Sequence, residues 1–216
     1  MLLETLKSKA IAMELINPAD EIDAERAFIL VRDMPYTRAS SRAPGAIIGE
    51  WRGTCSGKHY LLQALYAELG YSSRVIVCTT VTILDPKEYW GKMRKLLEQS
   101  NGRFVDAHNY LILELPDGEM IVDATWPIAT KGMGTVVNER FVLGENQKIA
   151  VEPIQSWEIP ADRDPQEFKA EILQESFSPQ ELQQREEFIR LISEMSNSKM
   201  IKFYVWLERL VKGKNR

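Results

Sequence analysis

The chain has 216 residues, 44% of them hydrophobic and 27% charged, the balance of a globular protein large enough to bury a core without disulfide or metal staples. Its 27 basic and 31 acidic side chains leave a net charge of -4, so the overall charge gives no footprint for nucleic acid. No apolar run approaches the roughly 18 residues of a membrane span, and MLLETLKSKA sets Glu4 among leucines instead of a basic segment and an apolar run; a cytoplasmic protein with no membrane partner is expected.

In chain order, LLETLKSKAIAMEL and DEIDAERAFILVRDM carry helical apolar spacing on either side of an Asn17-Pro18 break. Residues 34–54 hold Pro35, Pro44, Gly45, Gly49 and Gly53 and read as a loop. A helix from about Thr54 should close at Gly70, where glycine suits the left-handed C-terminal position. A strand is expected at about 74–83, then a helix in DPKEYWGKMRKLLEQ with Asp85 as N-cap and Pro86 at its first position. A hairpin follows, VDAHNYLILEL and EMIVDATW around the turn signal Asp117-Gly118. Residues 135–160 should add one or two strands. From Asp164 the pattern is helical and charged, broken at Ser178-Pro179 and near Asn197-Ser198, with Phe188, Leu191, Ile192 and Met195 on an apolar face that should pack on the core or a partner. The division expected is a core over 1–160 and a helical extension over 161–216.

Two cysteines stand in different settings. Cys78, in SRVIVCTTV, sits among β-branched residues and reads as strand core. Cys55 opens a helix, where unpaired N–H groups and the positive end of the dipole favour a thiolate and can face an oxyanion. The glycines at 49, 53 and 57 would let a substrate approach the backbone. A small residue packing under a glycine-rich loop has the same signature. The two thiols are 23 positions apart and only His59 and His108 accompany them, which is not metal-ligand spacing.

A thiol nucleophile needs a base, and His108 opens an apolar strand whose returning partner carries Asp123. A strict two-residue turn at Asp117-Gly118 puts Asp123 opposite Ile112, four positions from His108; a loop from Leu115 to Gly118 cuts the offset to two, within diagonal reach, and a bulge would also help. Asp106 competes as a partner for His108, from the same strand. His59, one turn after Cys55, is expected to face the core with Leu62, Tyr66 and Leu69. GTCSGKH is one residue short of a phosphate loop and has His59 where the magnesium-binding hydroxyl belongs. No calcium-loop pattern occurs.

RGTCSGKHYLLQALYAELGYSSRVIV followed by DAHNYLILELPDGEMIVDATW resembles the core of the transglutaminase-like superfamily of papain-fold cysteine enzymes. Its motif order, Cys then His then Asp, matches Cys55, His108 and Asp123, and DEIDAERAFILVRDMPYTR resembles the helix that precedes the cysteine in bacterial members. The resemblance covers about residues 20–127. It implies an α+β fold of helices packed on an antiparallel sheet, an acyl-enzyme mechanism on an amide, ester or thioester carbonyl, a peptide, protein or small acyl substrate, and no cofactor. Arylamine N-acetyltransferases are similar too, but Thr54 stands where they carry a second glycine, and their glutamate two residues after the cysteine is missing. The upstream glutamine of papain-type peptidases is also missing; Trp51 could supply an indole N–H to the oxyanion or substrate, or simply pack under the loop. A binding protein on the same fold, using its C-terminal helices to hold a partner, is the non-enzymatic alternative.

Overall fold

The structure is a computed structural model describing residues 1–132, 135–160 and 162–197, with side chains as far as Leu191. Its strands are β1 (Ser73–Ile83), β2 (Arg103–Leu115), β3 (Gly118–Val122) and β4 (Gln155–Glu158). Its helices are α1 (Leu2–Ala12), α2 (Ala24–Asp33), α3 (Pro44–Glu50), α4 (Cys55–Glu68), α5 (Gly91–Gln99), α6 (Pro165–Ser176) and α7 (Pro179–Asn197). The four strands make one antiparallel sheet in the order β3-β2-β1-β4, so the fold is α+β. Two compact units divide the chain: Met1–Thr80 with Ala107–Ile172, and Val81–Asp106 with the described residues from Leu173 onward. Among the described residues no helix is long and apolar enough to cross a membrane.

In the first unit, α1 to α4 bury their apolar stripes in a core that includes Leu6, Phe28, Val31, Ile47, Leu61, Leu65, Leu111 and Val122. Asp23 caps α2 by accepting from the Arg26 amide at 2.8 Å. The first helix is shorter than its apolar spacing suggests, because Glu14 takes a left-handed φ of 57°. The 34–54 segment is not all loop: Pro44 starts α3, a position where its missing N–H costs nothing. Thr54 is extended and Cys55 is the first residue of α4, which closes at Leu69 and Gly70, the glycine at φ 86°.

The hairpin register is Leu111 with Val122, Ile112 with Ile121 and Leu115 with Gly118, which is the shorter offset between His108 and Asp123. β3 ends at Val122 instead of running on to Trp126, because side chains take up the next amides. The Asp123 N–H donates to Gln147 Oε1, the Ala124 N–H to His59 Nε2 and the Thr125 N–H to Asp123 Oδ1. Residues 135–160 contribute one strand, β4, antiparallel to β1. Cys78 is fully buried with Ile76 and Tyr110.

In the second unit, the helix expected over DPKEYWGKMRKLLEQ is split. Asp85 caps a short 3-10 turn, Pro86–Glu88, and α5 begins only at Gly91, whose φ of 62° turns the chain between them. Met93 and Leu97 of α5 pack on Phe188 and Leu191 of α7, and the Phe104 and Phe188 rings lie 4.1 Å apart. Glu181 accepts from the Ser178 amide at 2.9 Å and returns its own N–H to Ser178 Oγ at 3.3 Å, a capping box that starts α7 at the Ser178-Pro179 break. The Ile192 and Met195 side chains and the Ser198 end of the last expected break lie outside the described residues.

Candidate active site

Cys55 owes its position to two packing constraints. Trp51 ends α3 at a left-handed φ of 52° and is buried in the core cluster, turning the chain so that Arg52, Gly53 and Thr54 lead directly into α4. One half-turn into α4, Gly57 faces Ile47 so closely that a Cβ would lie 2.6 Å from its Cδ1. Gly53 likewise faces the Lys58 stem, 3.2 Å from where a Cβ would be. These two glycines therefore admit the protein's own side chains; a role in admitting substrate backbone is replaced by packing of α3 on α4. Neither cysteine forms a disulfide.

His108 and Asp123 meet across the hairpin. His108 Nε2 lies 2.8 Å from Asp123 Oδ2, both groups being almost wholly removed from solvent. The same carboxylate accepts from the Ala150 N–H at 2.7 Å and, through Oδ1, from the Thr125 N–H at 3.0 Å. Burial opposes its ionisation, but the His108 charge and these hydrogen bonds outweigh it and hold the carboxyl far below the usual range. His108 is the mirror case: burial favours the neutral ring, yet Asp123 and a side-chain hydrogen bond with Cys55 raise it to about 10. With Nε2 engaged by Asp123, Nδ1 is the nitrogen left for the sulfur. Asp106, the competing partner from the same strand, gives its carboxylate to Arg185 at 2.7 Å.

His59 is fully buried, as its helical face suggests, and serves as a tautomer-fixed strut. It accepts the Ala124 N–H on Nε2 at 3.0 Å, so Nδ1 is the protonated atom and donates to the Cys55 carbonyl at 2.7 Å. Burial lowers it to about 4, against the pull of Asp123 3.6 Å away. The two histidines, 6.0 Å apart between ring centroids, are thus pushed in opposite directions, His59 toward the neutral ring and His108 toward the imidazolium.

Several side chains of the site carry no signal in the linear pattern. Lys58 is wholly buried, its ammonium donating to the Arg32 carbonyl at 2.8 Å and the Thr125 carbonyl at 3.0 Å, and burial lowers it to about 7. Ser56 Oγ donates to Asn109 Oδ1 at 2.8 Å. Lys169, from α6, reaches the same pair at 3.2 and 2.9 Å and faces Cys55 Sγ at 3.9 Å. Asn109 follows His108 directly in β2, among other polar residues of the strand, and nothing along the chain sets it apart. Lys169 sits in the charged run DPQEFKAEI, which reads as a solvated helix face. Burial and the negative charge of Cys55 push the Cys78 thiol up to about 12. Among the described residues no group of His, Cys, Asp and Glu could hold a metal ion.

No family model matches the chain, and no curated protein or solved structure matches it either.

Proposed function

We propose that this chain is a transglutaminase-like cysteine enzyme on a papain-type fold, acting on an amide, ester or thioester carbonyl through an acyl-enzyme on Cys55. The observation that carries the reading is the continuous path from the Cys55 thiol to His108 and from His108 Nε2 to Asp123 at 2.8 Å. Its support from the fold is the position of the cysteine at a helix start, of His108 on β2 and of Asp123 directly after β3, the antiparallel partner of β2.

The Cys55 proton resides on His108, giving a thiolate beside an imidazolium whose charge Asp123 stabilises. Sulfur attacks the carbonyl carbon, and the negative charge that forms on oxygen meets the first-turn amides of α4. Collapse breaks the bond to the leaving group, which takes the proton from His108, and the acyl group stays on sulfur. Water or an amine then gives its proton to His108 and attacks the thioester, and departure of sulfur as the thiolate restores the resting pair. Every proton moves between His108, sulfur and substrate, so the sequence of steps needs no cofactor. The substrate is a peptide, a protein or a small acyl compound, and the acceptor decides between hydrolysis and transfer.

The test is to react the protein with p-nitrophenyl acetate and locate the acetyl group by mass spectrometry. The expected outcome is a burst of nitrophenol of about one equivalent and an acetyl adduct on the Cys55 peptide, both lost in Cys55→Ala. Acetylation confined to surface lysines, with an unchanged rate in Cys55→Ala, contradicts the proposal.

A further inference from the structure

Lys169 is an unusual neighbour for a nucleophile. It is 8% exposed, and a buried ammonium is costly unless an anion or several acceptors hold it. Its three contacts use its three protons: Asn109 Oδ1 at 2.9 Å, Ser56 Oγ at 3.2 Å and Cys55 Sγ at 3.9 Å. Two of these partners are neutral, and the sulfur is the one that can carry a charge. The rest of the network links the same elements. Ser56 Oγ lies 2.8 Å from Asn109 Oδ1 and 4.0 Å from the sulfur, and one turn before Lys169 the Gln166 amide donates to Tyr60 Oη at 2.8 Å, tying the start of α6 to α4.

We infer that Lys169 is a fourth catalytic residue of this site, its ammonium holding Cys55 as a thiolate in the resting protein and moving onto the substrate oxyanion when the sulfur attacks. The inference rests on the proposed role of Cys55 as nucleophile. On attack, the electron pair leaves sulfur for the carbon and the carbonyl pair moves to oxygen, which lies one bond beyond the carbon joined to sulfur. The ammonium already points one N–H at the sulfur, so an oxygen forming beside it is met by that same proton with little movement, while Asn109 and Ser56 keep hold of the other two. A cation thereby fills the place for which the chain has no upstream glutamine. It exchanges a diffuse charge on sulfur 3.9 Å away for a concentrated charge on oxygen, to which a charge-assisted hydrogen bond is shorter and stronger, so it favours the transition state over both the resting thiolate and the neutral acyl-enzyme.

The ionisable groups facing Cys55 are His108 and Cys78 from the sheet, Asp123 behind His108, Lys58, His59 and Tyr60 from α4, and Lys169 itself. The test therefore follows the Cys55 peptide by mass spectrometry during iodoacetamide alkylation across pH, in the wild type, Lys169→Met, Lys169→Arg and His108→Ala. Lys169→Met should move the apparent pKa of Cys55 up by about one unit or more, as removal of a contacting cation does, and Lys169→Arg should restore most of it. At a pH above both profiles, where the thiol is ionised in each protein, acylation by p-nitrophenyl acetate should still be slower in Lys169→Met, on the order of 10². Should Lys169→Met lose its cooperative melting, Lys169→Gln, which keeps a donor for Asn109 without the charge, decides by the same readings. A profile unmoved by the lysine variants but shifted upward in His108→Ala overturns the role of Lys169 and leaves the nucleophile. A profile that neither lysine nor histidine variants move overturns both.

Discussion

Asp123 is the residue on which orientation and charge of the site converge. Its two oxygens accept from His108 Nε2, the Ala150 N–H and the Thr125 N–H, so an amide in its place must turn its NH2 toward at least one N–H donor. Asp123→Asn should therefore cost about 1–3 kcal/mol of stability from the mismatched donor and, per folded molecule, lower acylation on the order of 10³–10⁴ through loss of the imidazolium and its tautomer. Urea unfolding and turnover on the same preparation separate the two effects; full turnover in the folded fraction would make Asp123 a purely structural closure of the strand. Cys55, His108 and Asp123 were readable from the sequence because each stands at a marked point, a helix start or the ends of a hairpin. Lys58 and Lys169 were not. Lysine in a polar segment looks solvated until the fold shows which acceptors surround it, here two carbonyls for Lys58 and the Ser56-Asn109 pair for Lys169.

At the scale of elements, the site depends on how closely α3 approaches the start of α4. Ile47 fills the space that a side chain at Gly57 would take, and Gly57 lies two residues beyond Cys55. Gly57→Ala should destabilise by about 1–3 kcal/mol, the usual cost of overpacking, and should slow Cys55 alkylation by tilting the first turn. Ile47→Val removes the methyl that would clash, so the double variant should recover much of both losses, a coupling that a thermodynamic cycle measures directly. Additive losses would place the strain elsewhere. This contact was invisible beforehand because the loop expected over 34–54 contains α3, whose seven residues are too few for apolar periodicity to reveal. The hairpin was legible down to its alternatives: Asp117-Gly118 marked the reversal, but only pairing of Leu115 with Gly118 fixes which offset joins His108 to Asp123. The helix after Asp85 was legible in type and not in continuity, since Gly91 at φ 62° interrupts it.

For the molecule as a whole, the fold gathers side chains from positions 55, 59, 108, 123 and 169 into one buried cluster, in which His59, His108 and Asp123 are each shifted by their neighbours. The sheet and α4 together give the two histidines opposite duties. His59 must stay neutral to accept the Ala124 N–H, and burial lowers it to about 4. In the proposed mechanism His108 stays charged to serve the thiolate, and Asp123 with Cys55 raises it to about 10 against the cost of burial. The α+β class and the order of the motif residues could be read along the chain, whereas this division of charge could not, because it comes from which atoms face each ring after folding.

That division gives the most direct measurement of the central claim, that Cys55 and His108 rest as a thiolate-imidazolium pair. The chain has only two histidines, so ring nitrogen NMR of protein labelled with 15N-histidine reads both without further assignment than a His59→Gln control. At pH 7 the spectrum should contain one imidazolium with two protonated nitrogens, His108, and one neutral ring protonated at Nδ1, His59. As the pH rises, His108 should keep its proton well past the ordinary histidine range near 6.5, and alkylation of Cys55, which removes the sulfur's charge, should bring its pKa down. Two neutral rings at pH 7, or a His108 whose titration is indifferent to alkylation of Cys55, would contradict the ion pair and the mechanism built on it.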